Sequence, residues 1–474
     1  MIIRKHEDDG PIVIPGEACD EILTDTGATE PVYPAIYPQL ETDFELWNPN
    51  SWKRGHPYDL YKRMREDAPV MWSKVRSPAS RYWSVSRYED IKTVELQPGI
   101  FSSQRGGINL AVPGRKHWKP EILIRAAMDN LISMDEPGHM QMRIQQKDFF
   151  VPAYVAKLRE KVRAKVEALC DDLEAEGPVV DFVKVFSNEL PLYTLCEMLG
   201  VDEADRPKIV YWMHYLEMAS QFLSNPLTTF LGEPLFPLRF NKVVEEMFAY
   251  GARVMADRRA HPREDLLTVI AQSRLGGEAL PQGYLDGSWL LIIFAGNDTT
   301  RNSLSGTVKL MTEWPQQRAI VLDDPTMIAN MSEEALRMVS PVKHMRRTAL
   351  EDTEINGQRI AKDEKVVMWY GAGNRDPEVF ANPDVFDMTR ENVSKHIAFG
   401  HGVHKCLGAR VAQMQLQVAY EQLFARFPKI EFTGDIKYGP NALVHAISKL
   451  EVNLYGRGNA RRAQVQVKAG QAAS

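Results

Sequence analysis

One cysteine near the C-terminus stands in a frame of glycines and ring side chains that restricts what the surrounding chain can form. The frame reads Phe-x-x-Gly-x-His-x-Cys-x-Gly, and its members are Phe399, Gly402, His404, Cys406 and Gly408. A helix-like run begins at Ala409, and the free N–H groups of a helix N-terminus favour a thiolate over a thiol. Such a thiolate suits a ligand to haem iron. The alternative is a buried cysteine beside a glycine-rich turn, the ordinary role of a lone cysteine, and the complete frame disfavours it.

The frame resembles the haem-ligand loop of the cytochrome P450 monooxygenases at every fixed position. The resemblance implies a haem b cofactor, with Cys406 as the axial ligand of the iron. Phe399 would then cover the sulfur, His404 would contact a haem propionate, and Gly408 would let the chain turn sharply beside the ring. The resemblance also implies a fold that is mainly α with a small β region (α+β). That fold is a single haem domain with a long central helix.

The bulk composition restricts the class of protein further. The 474 residues are 44% hydrophobic, which is enough for a large core. With 57 basic and 63 acidic residues the net charge is −6, so nucleic-acid binding is disfavoured. The longest apolar run, 289–295, is too short for a membrane span. Four cysteines are too few and too irregularly spaced for a disulfide framework or a zinc site. We therefore expect a cytoplasmic protein, and we expect it to be a monomer.

Three parts of the chain differ in composition. Residues 1–40 are rich in proline, glycine, threonine and acids, which predicts an extended arm. Residues 41–458 form the predicted haem domain, and residues 459–474 read as a loose tail.

Local patterns inside the predicted haem domain indicate several elements. A helix begins near His56, and strand-like runs at 70–75 and 82–86 predict a hairpin. A second hairpin is predicted in 353–370, with its turn at Asn356-Gly357. Residues 100–132 read as irregular, and the chain from 136 to 310 is mostly helix-patterned.

A run of small and polar residues interrupts a long helical pattern between Gly283 and Trp314. The run Phe294-Ala-Gly-Asn-Asp-Thr-Thr300 contains poor helix formers, which predicts a local opening of the helix. A tolerated polar patch is the alternative. The run resembles the oxygen-activation motif of the P450 family, which implies that Ala295 faces the haem. It also implies that Asp298 and Thr299 deliver protons during catalysis.

Two further motifs resemble structural and haem-binding segments of the family. Glu334 and Arg337 stand at i, i+3, which alone is common on helices, and the resemblance implies that they lock the core together with Arg390. The segment Asp135-x-Pro-x-His139-x-x-x-Arg143 implies that His139 and Arg143 grip haem propionates. The strand-like run after Lys343 implies the same role for Arg347.

The predicted substrate pocket combines segments that are distant in the sequence. Strand alternation places Lys343, Met345 and Arg347 on one face, and Lys343 is offered as a partner for a substrate carboxylate, with a solvated lysine as the alternative. The resemblance adds Phe294, Ala295 and Leu443 to the pocket. It also makes the aromatic and methionine-rich stretch 207–250 a lid, although ordinary helix core is the simpler interpretation of that stretch.

The implied reaction inserts one oxygen atom from O₂ into a C–H bond, with electrons from NAD(P)H. A ferredoxin and a ferredoxin reductase would supply those electrons, and the ferredoxin would dock on a basic patch of Lys147, Lys395, Lys405 and Arg410. The closest resemblance within the family is to bacterial terminal hydroxylases of alkanes and fatty chains. A linear aliphatic substrate is therefore favoured, with a terpenoid or a steroid as the alternative. A haem-thiolate sensor without turnover is the alternative from another class.

Overall fold

The computed structural model describes residues 30–73, 81–108, 121–224 and 235–456. The predicted C-terminal tail and residues 1–29 of the predicted arm lie outside the described residues. The helices are α1 Tyr58–Asp67, α2 Tyr88–Glu95, α3 Glu121–Met128, α4 Gly138–Gln146, α5 Pro152–Glu176, α6 Glu189–Leu199, α7 Arg206–Ser224, α8 Phe236–Ala260, α9 Leu266–Gln272, α10 Gln282–Glu313, α11 Pro315–Asp323, α12 Ile328–Val339, α13 Tyr370–Gly373 and α14 Ala409–Arg426. The strands are β1 Val70–Ser73, β2 Tyr82–Val85, β3 Phe101–Ser102, β4 Val179–Asp181, β5 Arg274–Leu275, β6 Glu278–Ala279, β7 His344–Ala349, β8 Thr353–Ile355, β9 Gln358–Ile360, β10 Lys365–Trp369, β11 Glu431–Tyr438 and β12 Ile447–Asn453.

Helix α10 runs through the centre of the fold. Its 32 residues give a length of about 48 Å, and proline at both flanks explains its bounds. Pro281 precedes the first turn, and Pro315 begins the next helix. Helices α3, α6, α8, α12 and α14 all pack against α10. Its buried residues therefore include polar ones such as Asn302 and Ser305, which bond to Ile447 of β12 and to Ser187 rather than to water. Among the described residues, no helix is both long enough and apolar enough to cross a membrane.

A five-stranded sheet stands beside the helices in the order β1-β2-β10-β7-β3. Strands β1 and β2 pair antiparallel with Val70 opposite Val85, as the first predicted hairpin requires. Strands β8 and β9 form the second predicted hairpin. Its turn has positive φ at Asn356 and Gly357, 49° and 78°, which explains why this residue pair occurs there.

Part of the segment that the sequence predicts to be irregular is helical. The prediction of irregular structure over 100–132 is wrong for residues 121–128, which form helix α3. The glycines and prolines that indicate a loop end before this segment, and an amphipathic run follows them.

The described end of the arm lies on the second predicted hairpin segment, 353–370. The N–H of Val32 donates to Glu364 Oε1 at 2.9 Å, and the N–H of Ile36 donates to Gln358 Oε1 at 2.8 Å.

Candidate active site

The cysteine loop folds tightly before α14. The backbone N–H of Cys406 donates to the carbonyl of Phe399 at 2.8 Å, which closes the loop. Gly402 has a φ of 64°, and a Cβ there would come within 2.3 Å of the Glu95 carbonyl oxygen. Only glycine combines that backbone angle with that close approach. Gly408 caps the N-terminus of α14, so the cysteine stands directly before the first turn of the helix.

Cys406 and two small residues of α10 are accessible in the structure. Cys406 is exposed, as is its neighbour Lys405. Ala295 and Gly296 are also exposed, in the middle of a helix that is buried along most of its length. Helix α10 packs against α14, the helix that follows the cysteine loop. A thiol on one side and small side chains on the other are a donor set and a shape that fit a haem.

Opposing effects act on the pKa of the Cys406 thiol. Burial raises the pKa of Cys406, although the Gly408 N–H and the charges of Arg143 and Lys405 act in the opposite direction. Burial therefore opposes the ionisation that the helix N-terminus is predicted to favour. A coordinating metal ion deprotonates a thiol through its own charge, so a bound haem iron would stabilise the thiolate.

Four predicted propionate-binding residues come together from different elements. The rings of His139 and His404 lie 4.1 Å apart, and Arg143 donates to the carbonyl of Lys405 at 2.6 Å. Burial lowers the pKa of His404 to about 2, and the charge of Arg347 lowers it further, so Arg347 lies close by. The cluster therefore presents two arginines and two neutral histidines, which can bind carboxylates by charge-assisted and neutral hydrogen bonds.

Buried polar groups around this cluster are not predicted by the sequence. Ser103 Oγ lies 3.1 Å from His404 Nε2, and Asp135 accepts the N–H of Ser103 at 2.7 Å. Glu95 and Tyr370 lie beneath the cysteine loop. No local pattern marks Glu95, because it is the last residue of a short helix with an ordinary amphipathic sequence.

The centre of α10 stays helical throughout. The predicted opening of the helix is wrong, because Gln282–Glu313 is a single α-helix. Thr299 Oγ1 donates to the Ala295 carbonyl at 3.0 Å, so its hydroxyl finds a partner on the helix itself. Asp298 is buried and lies 3.3 Å from Arg301 Nη2, and Arg301 also pairs with Glu217 of α7. Burial raises the pKa of Asp298 to about 6, the charge of Arg301 lowers it and that of Glu217 raises it.

Known proteins similar to this chain share one family. The cytochrome P450 family model matches residues 325–436. Linalool 8-monooxygenase of Pseudomonas putida is 35% identical over 422 residues, which cover 86% of this chain and 98% of that protein. The chain belongs to the cytochrome P450 family. A methyl-branched lipid omega-hydroxylase of Mycobacterium bovis is 30% identical, over 83% of this chain and 90% of that protein.

The solved structure of a Mycobacterium marinum cytochrome P450 in complex with pseudoionone agrees with this assignment. It has a TM-score of 0.77 and 29% identity, with coverage of 88% of this chain and 99% of that one. Like its relatives, this cytochrome P450 is a monooxygenase with a haem b cofactor, and it uses O₂ and electrons from a redox partner. The predicted mainly α fold with a small β region is confirmed.

The buried Glu-x-x-Arg pair of this cytochrome P450 ties three segments together. Arg337 donates to both oxygens of Glu334 at 2.7 Å, and both side chains are fully buried. Arg390 donates from Nε to Glu334 at 3.1 Å. Arg337 also donates to the carbonyls of Asn374 and Pro383 at 2.8 Å each. The helix α12 is thereby fixed to the segment that precedes the cysteine loop.

The structure contradicts the prediction for Lys343. Its Nζ donates to the Asn441 carbonyl at 2.5 Å and lies 4.2 Å from the centre of the Trp52 ring, and the residue is 1% exposed. It is neither a solvated lysine nor a partner for a substrate carboxylate. Lys343 directly precedes β7, and its backbone N–H donates to the carbonyl of Leu443, between β11 and β12, at 2.8 Å.

The remaining predicted pocket residues are apolar. Phe294, Met345 and Leu443 are half-buried, and Ala295 is exposed. The predicted lid is largely core where the structure describes it, since the rings of Tyr215 and Phe236 stack with centres 6.0 Å apart and both are buried. Residues 225–234 of that lid lie outside the described residues.

When haem is bound, it supplies the redox chemistry that activates oxygen. The chain would provide the sulfur ligand through Cys406, and the two arginines and two histidines would orient the cofactor. Asp298 and Thr299 would hold and transfer protons, since an acid with a pKa near the working pH is an efficient donor.

Proposed function

We propose that this cytochrome P450 hydroxylates a neutral, branched acyclic aliphatic chain near one end. The similarity to linalool 8-monooxygenase over nearly its whole length carries the proposal. The names of a methyl-branched lipid omega-hydroxylase and of a structure in complex with pseudoionone support the same class. Linalool and pseudoionone are both acyclic isoprenoid chains. We therefore propose a branched chain as the substrate, in place of the linear chain that the sequence favours. The titration described below distinguishes the two.

The polarity of the predicted pocket supports a neutral substrate. Its predicted members other than Lys343 are apolar, and an apolar lining with few polar groups is typical of sites for apolar ligands. Lys343 is held by Asn441 and Trp52. A fatty acid carboxylate would thus find no positive partner among these five predicted residues, and burial of an unpaired charge is costly.

A spectral titration tests the substrate class. Purified holoprotein is titrated with linalool, with a linear alcohol of the same carbon number, with the corresponding fatty acid and with a sterol, and the Soret shift is recorded. We expect tightest binding of linalool and a weaker response to the linear alcohol and the acid. Tightest binding of the linear alcohol would favour a linear-chain hydroxylase, and a response to the sterol alone would favour a steroid hydroxylase.

The Arg301 ion pairs predict opposite effects of two substitutions on the pH dependence of turnover. Glu217 raises the pKa of Asp298 and Arg301 lowers it. We therefore expect Glu217→Gln to move the inflection at acidic pH in the plot of turnover rate against pH to lower pH. Arg301→Gln should move the same inflection to higher pH. The inflection should lie near pH 6 in the unmodified protein and vanish in Asp298→Asn.

The matched control for this experiment is Lys309→Gln, which removes an exposed ion pair with Glu313 from the same helix. If Glu217→Gln and Arg301→Gln shift the inflection in the same direction, that result would contradict the assignment of the inflection to Asp298.

We infer that the redox partner is a ferredoxin that docks beside the cysteine loop. Lys147, Lys395, Lys405 and Arg410 are all exposed, and Lys405 adjoins the ligand. We expect Lys405→Glu to slow reduction by ferredoxin and to weaken the dependence of that rate on salt, because long-range attraction between charges is screened by ions. Stopped-flow reduction measures this, with Lys208→Glu on α7 as the control. Equal slowing with dithionite, which needs no docking, would contradict the inference.

A further inference from the structure

Glu95 is a buried carboxylate beneath the loop that carries Cys406. It ends helix α2 and is 5% exposed. The hydroxyl of Tyr370 donates to its Oε1 at 2.6 Å. Its other oxygen, Oε2, is buried without a hydrogen-bond partner among the residues that the structure describes. A carboxylate in this state pays a large desolvation cost when it is charged, because it has fewer hydrogen bonds than it can accept.

The cysteine loop packs directly on this residue. A Cβ at Gly400 would lie 3.1 Å from Glu95 Oε1, and one at Gly402 would lie 2.3 Å from the Glu95 carbonyl oxygen. Both glycines have positive φ, 68° and 64°. The loop therefore approaches both the carboxylate and the backbone of Glu95 as closely as glycine allows, so the charge of Glu95 acts at short range on the loop that carries the haem ligand.

The charges around Glu95 connect it to the propionate-binding cluster. Burial raises the pKa of Glu95 to about 7, and the Tyr370 hydroxyl, the charge of Arg347 and the His401 N–H oppose this rise. Tyr88, on the same helix, also lies within its electrostatic reach. Arg347 in turn lowers the pKa of His404. A change in the charge of Glu95 therefore alters the electrostatic potential at Arg347, which is predicted to orient the haem.

We propose that Glu95 takes up a proton from solvent when a one-electron reductant adds an electron to the haem. The electron makes the site more negative by one charge, which favours the protonated form of a nearby carboxyl group. One proton from water then neutralises the Glu95 carboxylate, and the net charge of the site stays constant. Glu95 is a positioning residue in this role, since it acts through the loop and Arg347. The inference needs the haem but does not depend on which substrate is oxidised.

The midpoint potential as a function of pH tests this coupling. Substrate-free holoprotein is titrated with dithionite and redox dyes between about pH 6 and about pH 8, the range that spans a carboxyl titrating near neutrality. We expect the potential to fall with pH, toward the limit of about 59 mV per tenfold change in proton concentration for one proton per electron. Glu95→Gln, which keeps an acceptor for Tyr370, should remove most of this slope.

Two further variants separate proton uptake from a merely structural role. Tyr370→Phe removes a hydrogen bond that lowers the pKa of Glu95. The midpoint potential should therefore still fall with pH, but over a range at higher pH. Asp90→Asn changes a carboxyl of the same helix that bonds Asn356 at 2.9 Å instead of facing the loop, and it should leave the profile unchanged.

Three results would overturn the proposal. These are a flat profile in the unmodified protein, an unchanged slope in Glu95→Gln, and a shift of the potential by the same amount at every pH. If Glu95→Gln fails to hold haem, Tyr370→Phe decides, because an unmoved profile in that variant would also overturn it.

Discussion

Replacing Cys406 with serine is expected to abolish the thiolate-type Soret band of the reduced, carbon-monoxide-bound protein, together with all monooxygenase turnover. A hydroxyl cannot supply the electron density that a thiolate gives to haem iron. The loop should survive, because its closing hydrogen bond uses the backbone of Cys406 and Phe399. Absorption spectra and product formation with linalool measure both effects.

The control for this experiment is Cys196→Ala. Cys196 lies in the core, where burial raises the pKa of its thiol to about 11, so it remains a neutral, buried side chain. That variant should keep the spectrum and the turnover. A thiolate-type spectrum in Cys406→Ser would mean that another cysteine binds the iron, and the assignment of the loop would be wrong.

Replacing Arg337 with methionine is expected to destabilise the fold by about 3–5 kcal/mol, the cost of leaving one member of a buried ion pair without its partner. Glu334 would keep only Arg390 and the N–H of Asp387, and three backbone carbonyls would lose a donor. We expect a large fall in the midpoint of urea unfolding and a low haem content.

Arg426→Met is the matched control for this substitution. Arg426 pairs with Asp171 and Glu174 on the surface, and exposed pairs contribute about 0–1 kcal/mol. An equal loss of stability in both variants would contradict the structural role of the buried pair.

Features with strong local signals could be predicted from the sequence. The predicted long helix, Gly283 to Trp314, differs from α10 by one residue at each end, because prolines flank it. The turn at Asn356-Gly357 was equally clear, since its positive φ angles suit those two residues.

The errors arose where neighbouring elements decide the outcome. The polar run in α10 remains helical because the Thr299 hydroxyl bonds within the helix and Asp298 pairs with Arg301. The ammonium group of Lys343 is bound by a carbonyl almost a hundred residues further along the chain, that of Asn441. Its pattern as a strand residue holds no information about that partner.

The pieces of the site were predictable but their couplings were not. The cysteine frame around Cys406 has a fixed local spacing, and so does the adjacent pair of Asp298 and Thr299. The contact between Glu217 and Arg301 joins residues 84 positions apart, and that between Glu95 and Tyr370 joins residues 275 apart. Such contacts depend on how helices and the sheet pack, which a single sequence does not specify.

Product analysis with isotopically labelled O₂ tests whether this protein hydroxylates a branched acyclic chain. Holoprotein, ferredoxin, reductase and NADH are incubated with linalool and, separately, with the linear alcohol of the same carbon number, and the products are identified by mass spectrometry. We expect one labelled oxygen atom near the end of the linalool chain, at a higher rate than on the linear chain. Labelled product from the linear alcohol alone would contradict the branched-chain assignment, and absence of labelled product from both would contradict oxidation of acyclic chains altogether.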